Sequence, residues 1–317
     1  MRRAFTLIEL LVVIAIIGVL LSVLIPALSE ARQAAKSLLC RTRLRTVGQG
    51  LVLYANENKD VLVPARLPKI NDYHWRLRVP GGIKYRPTFL TMMASQVGLP
   101  PFEDPQPSKK SIDKFGQPGD RQNYSNDAYL CPEVSDWTDE RNACYGYNYQ
   151  FLGNARLRDP NVRTSYKNWP VTSSSVRSPA QCVAAADSMG TAASFSRRDR
   201  TPYEDNKLND SRSGRTITAL GNEGFNLDPP RVDPVRGEMA SLGDGHEART
   251  ALHERHKRKG NILWVDAHVS EETLESLNYR VGDDGVVGFD GNNRFFSIRN
   301  GDDVWTESGL ERLGQGP

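Results

Sequence analysis

The chain has 317 residues, room for one large domain or two small ones. Its 41 Lys and Arg stand against 38 Asp and Glu, a net charge of +3. That near-balance argues against the concentrated basic face of a nucleic-acid-binding protein, so no nucleic acid is expected as a partner. Four cysteines without C-x-x-C spacing argue against a zinc ribbon or a thioredoxin-type site.

From Phe5 to Ile25 the residues are almost all apolar, and Glu9 is the only charge among them. As a helix this run is about 30 Å long, roughly the thickness of a bilayer core. A carboxylate inside it costs on the order of 2.5–3.5 kcal/mol, so Glu9 calls for a cationic partner. Cleavage between Ala4 and Phe5 would create one, a free ammonium on Phe5.

Arg2-Arg3-Ala4, then Phe5-Thr6-Leu7-Ile8-Glu9, an apolar helix and Pro26 together resemble the type IV prepilin family, which includes the pseudopilins of type II secretion. The resemblance covers about the first 30 residues. It implies that Ala4 and Phe5 are the scissile pair, that Phe5 is N-methylated and that Glu9 aligns subunits during assembly. It also implies a leader peptide at 1–4 and a transmembrane helix at 5–26. The partners it implies are a prepilin peptidase, inner-membrane lipid and other pilin or pseudopilin subunits. One departure is Ala4, where the family usually carries Gly.

Arg2 and Arg3 favour the cytoplasmic side. The protein is then a single-pass protein of the bacterial inner membrane with its head outside the cytoplasm, in the periplasm or at the cell surface. Disulfides are permitted there, and Cys40, Cys131, Cys144 and Cys182 allow three complete pairings. The rival reading is a secretory signal peptide cut near Ala27-Leu28-Ser29. Against it, the apolar run is longer than a signal h-region and Glu9 interrupts it.

Helix-forming residues continue from Ala27 to about Asn56, which predicts a stalk helix at 27–56 and a globular head at 57–317. Leu24, Leu28, Ala31, Ala35 and Leu38 form one apolar stripe. Cys40, Leu44, Val47, Leu51 and Tyr54 form a second, rotated about half a turn from the first. The upper stripe is expected to pack on the head and the lower one on other chains. Arg41, Arg43 and Arg45 read as a solvated helix face. The run Cys40…Leu44…Gly48, followed by Val61-Leu62-Val63-Pro64, resembles a second signature of a pseudopilin-like subgroup.

Beyond Pro64 the composition is loop-rich. Phe89 to Val97 reads as a helix ending at Gly98. Ala128 to Pro132 and Ala143 to Tyr149 read as strands of a half-buried sheet, and Cys182 to Asp187 as a buried strand. Tyr145, Tyr147 and Tyr149 alternate and are expected in the core. Residues 190–250 read as either a long surface insertion or a partly disordered stretch.

Four histidines, His246, His253, His256 and His268, lie close together in sequence near Asp244 and Asp266. A metal site is conceivable on composition, but the spacing lacks a helical zincin pair, and no metal is assigned. His256-Lys257-Arg258-Lys259-Gly260 reads as a turn and Asn261 to Val265 as the following strand. His256, nine residues and Asp266 resemble the His-x9-Asp-Gly element of the same subgroup, with Ala267 in place of Gly. Structural pairing of His256 with Asp266 is expected. Ser270-Glu271-Glu272 reads as the cap of a short helix through Leu277. Asp283-Asp284-Gly285, Asp290-Gly291-Asn292-Asn293 and Asp302-Asp303 are oxygen-rich loops of the kind that suits calcium, although no EF-hand spacing is present.

The expectation is an α+β protein: a long N-terminal helix on an antiparallel head with large loop insertions. Its expected role is structural, without enzymatic activity or cofactor, as a subunit of a type IV pilus or type II secretion pseudopilus. The competing reading is an anchored extracytoplasmic enzyme or binding protein with the histidine cluster as its site.

Overall fold

The computed structural model describes residues 7–67, 76–112, 116, 118–153, 155–157, 166–168, 171–203, 217–232, 249–306 and 309–312. Helix α1 (Leu7–Glu57) is continuous over 51 residues with Pro26 inside it, about 76 Å of helix. It stops where the sequence turns polar: Asn58 Nδ2 caps the carbonyl of Tyr54 at 2.8 Å. Lys59 and Asp60 then adopt φ of 54° and 68° and reverse the chain.

The head follows in many short elements. A hairpin, β1 (Arg76–Val79) and β2 (Gly82–Tyr85), leads to α2 (Phe89–Met92) and α3 (Ala94–Val97). Then come β3 (Tyr145–Asn148), α4 (Tyr149–Leu152), the pair β4 (Ala155–Leu157) and β5 (Tyr166–Asn168), β6 (Val183–Asp187) and β7 (Asn226–Leu227). Strands β8 (Gly260–Trp264) and β9 (Val269–Glu272), and a hairpin of β10 (Asp303–Thr306) and β11 (Gly309–Arg312), complete the chain. The central sheet has the order β7-β3-β6-β8-β9. Its pairs are antiparallel except β3 with β7, which is parallel, so the expected antiparallel sheet is mixed at one edge.

Helix α1 divides as its two stripes require. Residues 7–36 are exposed throughout, and the lower stripe of Leu24, Leu28, Ala31, Ala35 and Leu38 lies in that exposed class. Cys40, Leu44, Val47 and Leu51 are buried in the core, and Tyr54 is half-buried against it. Each buried Leu or Val contributes roughly 1.5–3 kcal/mol. Contact is closest at Gly48, where an added Cβ would lie 2.5 Å from Leu263 Cδ1 and 3.1 Å from Ala267 Cβ. Only glycine lets the helix approach β8 this nearly.

Several local expectations change. Phe89 to Val97 is two short helices that meet at Met93, with Gly98 closing the second at φ 70°. Ala128 to Pro132 is not a strand. Two 3₁₀ turns, Asp127–Tyr129 and Pro132–Val134, occupy it; Asn126 caps the first through the Ala128 amide at 3.0 Å, and Pro132 has no N–H to give a ladder. Strand β3 is buried on both faces rather than one, with Tyr145 and Tyr147 in the core and Tyr149 starting α4. Ser270 to Glu272 belong to β9, because pairing with Gly260, Asn261 and Ile262 outweighs the capping signal. Within 190–250, residues such as Ala192, Ala193, Phe225 and Leu227 are core, so those parts are not surface insertion. Residues 204–216 and 233–248 lie outside the described residues.

The β8–β9 turn explains the Ala267 departure. The Ala267 amide donates to Trp264 O at 3.0 Å and the Trp264 amide to His268 O at 3.0 Å, with Ala267 at φ 70°. This is a tight turn closed by a left-handed residue, a conformation that favours glycine. Ala267→Gly should raise stability by up to about 1 kcal/mol by relieving that backbone, visible as a higher melting temperature; a lower one would show that its half-buried methyl matters more.

Leu51→Asp should destabilise the head by more than about 3 kcal/mol, since it places an unpaired carboxylate in the core. Leu28→Asp, on the exposed half, should leave head unfolding unchanged when both are followed by circular dichroism.

Candidate functional site

Where α1 meets the sheet, four chemically reactive side chains converge: Cys40 of α1, Cys131 between the two 3₁₀ turns, Asp187 at the end of β6, and His256. Their ligand atoms all lie within 4.8 Å of one another and all four residues are buried. Local sequence explains each placement. Cys40 opens the upper stripe of α1. Cys131 is held by the hydrogen bond that its backbone N–H donates to Cys144 Sγ at 3.1 Å. His256 occupies the first position of a tight turn, with Lys257 and Arg258 at φ 50° and 64° and reciprocal backbone bonds to Lys259 of 2.8 and 3.0 Å.

Asp187 is the hub. Its carboxylate accepts from Arg255 Nη2 at 2.5 Å, from the Asn261 amide at 2.8 Å and from Asn261 Nδ2 at 3.0 Å. His256 Nε2 lies 3.3 Å from the same carboxylate and 3.4 Å from Cys131 Sγ. Cys40 Sγ lies 3.1 Å from the Tyr145 hydroxyl and 3.5 Å from Asp187 Oδ1. Within the described residues His256 Nδ1 makes no hydrogen bond, so the ring bonds only through Nε2.

The charges are arranged to coexist. Burial alone would raise the Asp187 carboxyl, but Arg255 and His256 outweigh it and hold it at about 2. Cys131 is drawn down to about 5, first by its hydrogen bond with Cys40 and then, against burial, by Arg255 and His256. Burial, with the bond to Cys131, pushes the Cys40 thiol well up. Burial lowers His256, yet its bonds to Asp187 and Cys131 bring it up to about 9. Asp187 and the Arg255 guanidinium thus favour one another as an ion pair, with Cys131 held below and Cys40 above the ordinary thiol range.

The sequence-based site residues separate. His256 pairs with Asp187 and Cys131, not with Asp266 as expected; Asp266 is exposed and bonds His268 Nδ1 at 2.6 Å. The reason is the β8–β9 hairpin, which puts His256 and Asp266 at opposite ends of β8. The described histidines do not share one site: His253 stacks on Trp137 at 5.6 Å and His268 on Trp264 at 5.5 Å. His246 and Asp244 lie outside the described residues. All four cysteines are buried and unbridged. Of the acidic loops, Asp302 binds Arg231 at 3.3 Å and accepts from the Asn293 amide at 2.9 Å, while Asp303 accepts from Ser297. Asp187 was missed as a site residue, although an Asp closing the apolar run Val183 to Ala186 signals a buried charge that needs partners.

The second functional surface is the free half of α1. Leu7 to Leu28 present side chains such as Leu7, Ile14, Val19 and Leu24 to the outside. This helix is long and apolar enough to cross a membrane. Ala4 and Phe5 lie outside the described residues; Glu9 sits on the exposed arm. Residues 1–25 match the family model described as the prokaryotic N-terminal methylation motif. The chain has a type IV prepilin N-terminus. That N-terminus is of the kind processed by a prepilin peptidase, and among the described residues one helix is long and apolar enough to span a membrane. No curated protein and no solved structure matches the chain.

Asp187→Ala should destabilise the head by about 3–5 kcal/mol, because it strands the buried Arg255 guanidinium. Asp266→Ala should change stability by no more than about 0.5 kcal/mol. Thermal unfolding of the two variants side by side checks the reassignment of the His256 partner.

Proposed function

We propose that this protein is a structural subunit, cut between Ala4 and Phe5, methylated at Phe5 and assembled into a type IV pilus or type II secretion pseudopilus. The observation that carries this reading is the arm of α1: exposed residues 7–36 leave the head as an isolated apolar helix bearing the methylation motif. Water does not tolerate such a surface; a bilayer before assembly and neighbouring helices after it would cover it. The head stands outside the cytoplasm, and Glu9 aligns each incoming chain by meeting the Phe5 ammonium of a neighbour away from water.

No catalytic role is assigned. A Cys–His–Asp nucleophile is poorly supported by the buried cluster, since one ring nitrogen faces both Cys131 and Asp187. A triad divides those roles between the two nitrogens.

The mature chain should begin at N-methylated Phe5, read by mass spectrometry of the N-terminal peptide; a mature N-terminus near Glu30 would overturn the reading. Glu9→Leu should preserve membrane insertion, because it removes a charge from the bilayer, yet reduce filament incorporation at least tenfold in cross-linking assays.

A further inference from the structure

We propose that Cys40, Cys131, Asp187 and His256 form a structural zinc site that fastens helix α1 to the central sheet. The donor set is the first argument: two sulfurs, an imidazole nitrogen and a carboxylate oxygen are the ligand types zinc takes. The spacing is the second. Zinc–sulfur bonds of about 2.3 Å and zinc–nitrogen or zinc–oxygen bonds of about 2.0–2.2 Å set tetrahedral donors roughly 3.3–3.8 Å apart. The four donors lie within 4.8 Å of one another, so the set would contract slightly around an ion; the shorter separations are 3.4 Å from Cys131 Sγ to His256 Nε2, 3.3 Å from His256 Nε2 to Asp187 Oδ2, and 3.5 Å from Cys40 Sγ to the other oxygen, Asp187 Oδ1.

The third argument is convergence. His256 Nε2 faces Cys131 and Asp187 together, as a ligand does when several donors share one centre. Cys40, Cys131 and Asp187 are 0% exposed and His256 4%. Such a site is closed, without room for substrate, which makes it structural rather than catalytic. Outer groups already orient the ligands: Arg255 and Asn261 hold Asp187, and the Tyr145 hydroxyl contacts Cys40.

Charge also balances. Two thiolates and a carboxylate against Arg255 and a dication sum to zero. The four ligands come from α1, the turn at Cys131, β6 and the turn before β8. One ion would therefore join the membrane-proximal helix to three separated parts of the head. This inference does not depend on filament assembly.

The test uses the full-length chain purified in detergent under reducing conditions. Elemental analysis should give close to one zinc per chain, and cobalt exchange should give tetrahedral visible bands with a thiolate-to-cobalt band in the near ultraviolet. Cys131→Ser and His256→Gln should lower metal content at least tenfold, whereas Cys182→Ser, a buried cysteine outside the cluster, should retain it. If either ligand variant misfolds, the cobalt spectrum of the wild-type chain decides alone. The proposal falls if folded wild-type chain supplied with zinc or cobalt binds neither, if cobalt binds without thiolate bands, or if both ligand variants keep full occupancy. A Cys40–Cys131 disulfide found by non-reducing peptide mapping of native protein would equally overturn it.

Discussion

The architecture depends on seating half of one helix against strand β8. Helix α1 must be soluble in two surroundings, and the sequence solves this by rotating its apolar stripe about half a turn near residue 39. Above that point Leu44, Val47 and Leu51 enter the core, and Gly48 removes the side chain that would hold the helix away from Leu263. Gly50 does the same toward Met93 and Val97, where a Cβ would lie 2.8 Å from Val97 Cγ1. Close backbone approach on two neighbouring faces fixes both the rotation and the height of the helix. Every element that touches it, from α3 to β9, is positioned by that contact.

The head built on this seat is mostly loop, and loops leave carbonyls without strand partners. Cationic side chains supply the missing donors. Arg249 is fully buried and donates to the carbonyls of Pro229, Pro230 and Gly288. Arg200 serves Ala192, Phe195 and Gly285, and Arg86 serves Leu67. Lys84 reaches the carbonyls of Tyr85 and Gly119 and pairs with Glu140 at 2.6 Å, both side chains 0% exposed. Burial lowers the Lys84 amine and raises the Glu140 carboxyl, and each partner opposes the shift of the other. Such pairs add little net stability over an apolar replacement; their role here is to give irregular backbone a defined set of partners.

What could be read from the sequence follows from the range of the interactions involved. The two stripes of α1 were legible because helical periodicity is local, and strand β6 because an apolar run bounded by Pro179 and Asp187 has few alternatives. The turn at His256 was legible in place. Ala128 to Pro132 was misread because apolar content suggested a strand, while the Asn126 cap and the missing N–H of Pro132 decide otherwise. Ser270 to Glu272 was misread because a capping pattern is local and the pairing with β8 is not. The cluster was illegible for the same reason. Cys40, Cys131, Asp187 and His256 stand far apart in the chain, and only the β3-β6-β8 order of the sheet, with α1 across it, brings them together.

The position of that cluster connects the head to the arm. Ser37 and Cys40 are the first buried residues of α1, and both are held by polar bonds: Ser37 to Glu271 at 2.7 Å and Cys40 to Tyr145. Around them Lys36 meets Glu133, Arg41 meets Glu271, and Arg43 meets Asp127 and the Leu130 carbonyl. Two of the arginines that read as a solvated face therefore belong to a collar. The exposed ion pairs of this collar are individually weak, so the helix is held chiefly by its buried contacts, the stripe from Cys40 to Leu51 and the cluster at its lower end. Below the collar, residues 7–35 form an exposed arm about 44 Å long, and a tilt of about 5° at its root moves its far end by about 4 Å. Helix–helix packing in a filament tolerates small shifts and not a whole side-chain row. If the chain assembles as proposed, the direction of its arm would be set at this joint around Ser37 and Cys40, because no described residue below the collar is buried against the head.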